Sequence, residues 1–178
     1  ARVHSILTLT VLFSTLTCLP LFAQSTEFND LLDLARRGDS SAQFSVAVAY
    51  DEGKGVAQND TLAVYWYRKS AEQGNADAQV SLGARYDNGE GIEMNDTLAV
   101  HWYRKSAEQG NAIAQKNLGV MYGNGEGVAQ NDTLAVYWYR KSAEQGNAEG
   151  QYNLGVRYGN GKGITQNDTL AVYWYRTS

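Results

Sequence analysis

Side chains able to perform acid–base or nucleophilic chemistry are few and scattered. Histidine, the commonest general base near neutral pH, occurs only at His4 and His101. His101 stands where Tyr65, Tyr137 and Tyr173 stand at matching positions, so it reads as a solvated variant of a repeated site, not as a base. The one cysteine, Cys18, supplies neither a disulfide framework nor a Cys-based metal site. Acidic residues gather at Asp51-Glu52 and near Glu90, but no Asp-x-Asp-x-Asp-Gly loop accompanies them, and they read as solvated turn charges. Glycine pairs at Gly53/Gly55, Gly89/Gly91, Gly125/Gly127 and Gly161/Gly163 invite comparison with phosphate-cradling loops. They lack a following Lys-Ser/Thr and recur four times after predicted helices, which makes them structural turns. Asn-Asp-Thr at Asn59, Asn95, Asn131 and Asn167 has the form of a glycosylation sequon, yet these are also the residue types that cap helices. Cap chemistry requires these residue types at that position whether or not a glycan is attached. A net charge of −4 and a pI near 5.1 leave no basic surface for nucleic acid. The chain is expected to be no enzyme and to need no cofactor or metal.

What the sequence offers in place of a catalytic constellation is repetition. Asn-Asp-Thr-Leu-Ala-Val begins at Asn59, Asn95, Asn131 and Asn167, and the tryptophans Trp66, Trp102, Trp138 and Trp174 keep the same 36-residue spacing. Within a unit, Ala42, Val46 and Tyr50 recur every four positions, which predicts a helix A over 41–52 that ends at Gly53. A helix B is predicted over 60–73, capped by Asn59 or Asp60 and stopped at Gly74-Asn75. Leu62, Ala63, Val64, Trp66, Tyr67 and Ala71 spread over an arc of about 200° on helix B, wide enough to pack on its own A helix and on the next unit. Glu27 to Arg37 reads as the B helix of an incomplete preceding unit, giving nine helices in an all-α chain. The organisation predicted is a leader over 1–23, a partial repeat over 24–40, and repeats over 41–76, 77–112, 113–148 and a shorter 149–178.

Arg2, the apolar run Ile6 to Leu16 and the Leu21-Phe22-Ala23 segment have the shape of a secretory signal cleaved after Ala23. The run is interrupted by Thr8, Thr10, Ser14 and Thr15 and is too short to span a bilayer, so no stable membrane insertion is expected after cleavage. Acylation of Cys18 is disfavoured by the Thr17 before it. A secreted or periplasmic location follows.

The pattern Ala78, Leu82, Gly83, Tyr86, Gly89, Gly91, Asp96, Ala99, Trp102, Tyr103, Ala107, Gly110 and Ala112 resembles the Sel-one-like repeat family, relatives of the tetratricopeptide repeats. The likeness covers 27–178; in the first unit Val46 and Ala47 replace Leu82 and Gly83. It implies an α/α solenoid, a right-handed superhelix of stacked antiparallel hairpins, serving as a scaffold or adaptor for other proteins. It also places the A helices on the concave side. Positions repeated in all four units serve stacking, whereas positions that vary are free for other work. On helix A, positions 41, 44, 45, 47, 48, 51 and 52 lie far from the face centred on Val46 and are expected to be exposed. Phe44, Val80, Lys116 and Tyr152 share one varying position, and Val48, Ala84, Val120 and Val156 lie a turn further on. Ala49, Arg85, Met121 and Arg157 flank them. These residues are the expected groove for a protein or peptide ligand, with no role for nucleic acid. Two other readings stay open: an accessory module of a cell-envelope enzyme, and a self-assembling architectural array.

Overall fold

The computed structural model describes residues 25–178; the predicted signal segment lies outside them. Among the described residues there are nine helices and no strands: α1 (Thr26–Arg36), α2 (Ser40–Glu52), α3 (Asp60–Glu72), α4 (Ala76–Asn88), α5 (Asp96–Glu108), α6 (Ala112–Asn124), α7 (Asp132–Glu144), α8 (Ala148–Asn160) and α9 (Asp168–Thr177). Each helix packs on the next in chain order, so that α2/α3, α4/α5, α6/α7 and α8/α9 form four hairpins stacked as a solenoid. Here α2, α4, α6 and α8 are the A helices and α3, α5, α7 and α9 the B helices. None of the described helices is long and apolar enough to cross a membrane.

Capping chemistry sets the helix boundaries. Asn59, Asn95, Asn131 and Asn167 each take an extended backbone while the side chain accepts from the amide three residues on, for Asn59 from Leu62 N at 2.9 Å. Gly89 closes α4 in the left-handed region at φ 72°. Two residues later Gly91, at φ 70°, meets the preceding unit; a Cβ there would lie 2.5 Å from the Asp60 carbonyl. The glycine pair is therefore both a turn and a contact between units.

Stacking buries Ala63, Val64, Tyr67 and Ala71 of α3, and the same set recurs on α5 and α7. The buried stripe is narrower than the arc predicted for helix B. Leu62 is 38% exposed and Trp66 half-buried, because the stripe centres on Tyr67 and leaves those two at its edge. Polar ties lock the register. Gln43, Gln79, Gln115 and Gln151 are buried, and each donates to a carbonyl near the end of the preceding helix, Ala35, Ala71, Ala107 and Ala143 respectively. Gln73, Gln109 and Gln145 in turn donate to the first three of them. The fourth, Gln151, has no such partner for its Oε1 among the described residues. Arg68 and Arg104 reach across units to the hydroxyls of Tyr86 and Tyr122 at 2.9 and 3.0 Å.

Candidate binding surface on the A helices

The varying A-helix positions recur once in each hairpin, and many are less open than their helical phase suggests. At the shared position, Phe44 is half-buried with its ring 5.9 Å from that of Tyr67, and Val80 is buried. Lys116 is half-buried and pairs with Glu149 at 2.7 Å. Only Tyr152 stands free, at 54% exposure, its ring 5.7 Å from Tyr175. Val48, Ala84, Val120 and Val156 form a half-buried line beside it. The expectation of exposure fails outright at Ala47, Gly83, Gly119 and Gly155, all buried. At the three glycines the tyrosine of the following B helix, Tyr103, Tyr139 or Tyr175, covers this position, so closely that a Cβ on Gly83 would sit 2.7 Å from the Tyr103 ring. The flank needs the same correction. Ala49 and Met121 are buried, Met121 at 1% exposure, because three residues beyond Val46 or Leu118 the helix turns back toward its neighbour, and α6 touches α8 directly.

The arginines of that flank are engaged in the structure, and their partners reveal residues that the sequence pattern did not single out. Where the first hairpin meets the second, the Tyr67 hydroxyl donates to Asp51 at 3.0 Å, and the Arg85 guanidinium donates to both Asp51 oxygens. Arg85 also pairs with Glu90 at 2.5 Å. Burial, followed by the charge of Asp51, pushes the Tyr67 phenol far above its ordinary pKa and keeps it a donor. Asp51 is thus no solvated turn charge, and Arg85 is a structural cation.

At the next two junctions one member of this trio is missing. Between hairpins two and three the Tyr103 hydroxyl donates to Asp87 at 3.1 Å, but Met121 stands where Arg85 stood. Asp87 has no cation within ion-pairing distance among the described residues. Burial raises its pKa, the Tyr103 hydroxyl opposes that, and Asp96 and Glu126 add to it. Between hairpins three and four the arginine is present and the carboxylate is not: Gly123 replaces the aspartate. Arg157 lies over the Tyr139 ring, 5.7 Å from its centroid, with one guanidinium nitrogen against Gly123 and another paired with Asp132 at 2.5 Å. A cavity of about 340 Å³ opens here, lined by Gly123, Tyr139, Asn153, Arg157 and Lys162 among others. The signal for all of this was the sequence Asp51, Asp87, Gly123, Gly159 at one repeat position, legible only against Ala49, Arg85, Met121, Arg157 two residues earlier.

The opposite side of the stack is more uniform. Tyr65 and Tyr137 are exposed beside Trp66 and Trp138, and His101 beside Trp102 at 5.0 Å. Partial burial, then Lys105 and Arg104, lower the His101 pKa.

Four successive matches to the family model of the Sel1 repeat cover 40–75, 76–111, 112–147 and 148–178. The chain belongs to the Sel1 repeat family. It is similar to a protective antigen present in uropathogenic Escherichia coli strains that displays an SLR fold, at 38% identity and a TM-score of 0.82 over 86% of this chain and 33% of that one. A Sel1 repeat protein from Oxalobacter formigenes is 36% identical, with a TM-score of 0.80 over 84% of this chain and 60% of that one. The chain therefore spans about a third and three fifths of these two relatives. Cysteine-rich protein B of Helicobacter pylori, at 19% identity and a TM-score of 0.57, shares the fold. No curated protein was found to match. Sel1 repeats are in general protein-interaction modules, and the fold of this chain is of that kind.

Proposed function

We propose that this Sel1 repeat protein is a secreted or periplasmic scaffold that binds a protein or peptide along the A-helix side of its solenoid and catalyses no reaction. The observation that carries the reading is the contrast between the two sides: B helices that repeat almost unchanged, and A helices whose side chains differ from unit to unit along one line. That line combines apolar Val120 and Val156, an exposed aromatic in Tyr152 and half-buried charge, the mixture on which protein interfaces depend. The leader-like N-terminus supports the location, as does the description of a relative as a protective antigen. Phe44, Val48, Val80, Lys116 and Met121 then shape the groove from within or below, and Arg85 holds two hairpins together beside it.

The test is capture of a partner followed by titration with variants. Tyr152→Ala is expected to weaken binding by roughly tenfold or more, the effect of truncating an aromatic anchor. Tyr137→Ala, at a similarly exposed tyrosine on the B side, is expected to bind as the parent does. Loss at Tyr137 with Tyr152 silent places the partner on the other face and refutes the reading.

A further inference from the structure

We infer that the groove selects an extended peptide segment carrying a basic side chain and a carboxylate about three residues apart, the cation seated on Asp87 and the carboxylate on Arg157. The inference rests on the A-side reading above and names the chemistry of its ligand. The first junction is the internal template. There a tyrosine hydroxyl, an aspartate and an arginine complete one another, and no charge is left for a ligand. The second junction retains the tyrosine and the aspartate and lacks the guanidinium; the third retains the tyrosine and the guanidinium and lacks the carboxylate.

Among the described residues no cation fills the gap at the second junction, and at the third the missing carboxylate is replaced only by Asp132, a residue outside the trio. Lys116, whose charge acts on Asp87, is drawn to Glu149, while Asp96 and Glu126 deepen the negative potential around Asp87. At the third junction Arg157 turns to Asp132, a residue whose counterpart in the first unit is Asp60. Arg85 leaves Asp60 alone because it has Asp51. A cavity remains on the groove side of Arg157, with Lys162 and the Asn153 amide in its wall. Arg157 reaches back from α8 to Gly123 of α6, the position that Asp87 holds on α4, so the two seats are one repeat apart; packed helices lie roughly 10 Å from one another, which an extended chain crosses in about three residues. A segment along the groove thus meets the two incomplete junctions in succession, and each supplies the half of an ion pair that the other lacks.

The test uses the protein and an array of short peptides, acetylated and amidated so that only side chains bear charge. Arg or Lys is set two to five residues from Asp or Glu in both orders, and a second arm carries a free C-terminal carboxylate in place of the acidic side chain. Binding is followed by fluorescence anisotropy. Peptides with the three-residue spacing are expected to bind about tenfold more tightly than versions with Gln at either charge. The free-carboxylate arm shows whether Arg157 takes a side chain or a chain end. Met121→Arg, which supplies the missing guanidinium from within, should abolish the preference for the peptide's cation and leave that for its acid. Gly123→Asp should do the reverse. Its new side chain meets the guanidinium end of Arg157 and, at ordinary contact distance, Ala135, and its backbone lies outside the left-handed region. Asp87→Asn and Arg157→Gln should produce the same two losses by deletion. Peptides that bind with no charge preference, or with a preference untouched by all four variants, overturn the inference and leave the groove standing. Failure of every peptide to bind overturns both.

Discussion

Tyr103 and Tyr175 occupy the same repeat position, and comparing their truncation tests the stacking on which everything else depends. Tyr103 is 1% exposed, its ring on Gly83 and its hydroxyl on Asp87. Emptying a fully buried aromatic site costs about 3–5 kcal/mol, and losing a hydrogen bond to a half-buried carboxylate about 1–2 kcal/mol more. Tyr175 rests on Gly155 with 41% of its surface exposed, because among the described residues no later A helix covers α9. Scaled by the area it buries, Tyr175→Ala should cost roughly 2 kcal/mol. Tyr103→Phe separates the two contributions: it keeps the ring and strands Asp87, for a loss of about 1–2 kcal/mol. Tyr175→Phe should be nearly neutral. Urea unfolding followed by circular dichroism gives these values, fitted with a nearest-neighbour scheme suited to a repeat array. Equal costs for the two alanine variants, or a Tyr103→Phe as damaging as Tyr103→Ala, would falsify the account of the core.

Three further outcomes follow from particular contacts. Asp87 is held above the ordinary carboxylate pKa, first by burial, so its ionisation costs folding free energy at neutral pH, and this cost fades as pH falls toward 3.8. Asp87→Asn should therefore raise the melting temperature at pH 7 and match the parent near pH 4; a gap that widens on acidification reverses the sign and refutes the argument. Gly91→Ala should be worse than Gly74→Ala by roughly 2 kcal/mol or more in the same unfolding assay, since both have positive φ but only Gly91 faces the Asp60 backbone. Arg85→Met should cost about 1–3 kcal/mol by leaving Asp51 half-buried with its tyrosine alone, whereas Lys54→Met, whose pair with Glu52 lies in solvent, should change little.

Fold and period were legible because each unit repeats the same local signals: an asparagine cap, an apolar stripe, a glycine stop. Four copies in one chain let those signals reinforce one another, so the helix ends come within a residue of where the spacing puts them. The candidate binding surface was legible only as a list of varying positions. Helical phase assigns a side chain to a face but does not know what that face meets. Position 47 was expected to be open, and it is covered by a tyrosine from the partner helix; Met121 was placed on the groove wall, and it is folded into the contact between A helices. The junction charges escaped for a different reason. Arg85 and Asp51 are 34 residues apart, and whether such a pair forms depends on two positions in two different units at once. A residue-by-residue comparison of the units shows Arg157 and Arg85 as equivalents, when one is matched by an aspartate and the other by a glycine.

The central claim is that the A-helix side is the binding side, and chemical-shift mapping of the protein saturated with the tightest peptide of the array tests it most directly. Methyl and ring signals of Val120, Val156 and Tyr152 should move as the peptide is added, while Leu98 and Leu134, exposed on the B helices, stay fixed. Shifts concentrated at Leu98 and Leu134, or confined to Val172 and Tyr173 on the uncovered face of α9, would contradict it.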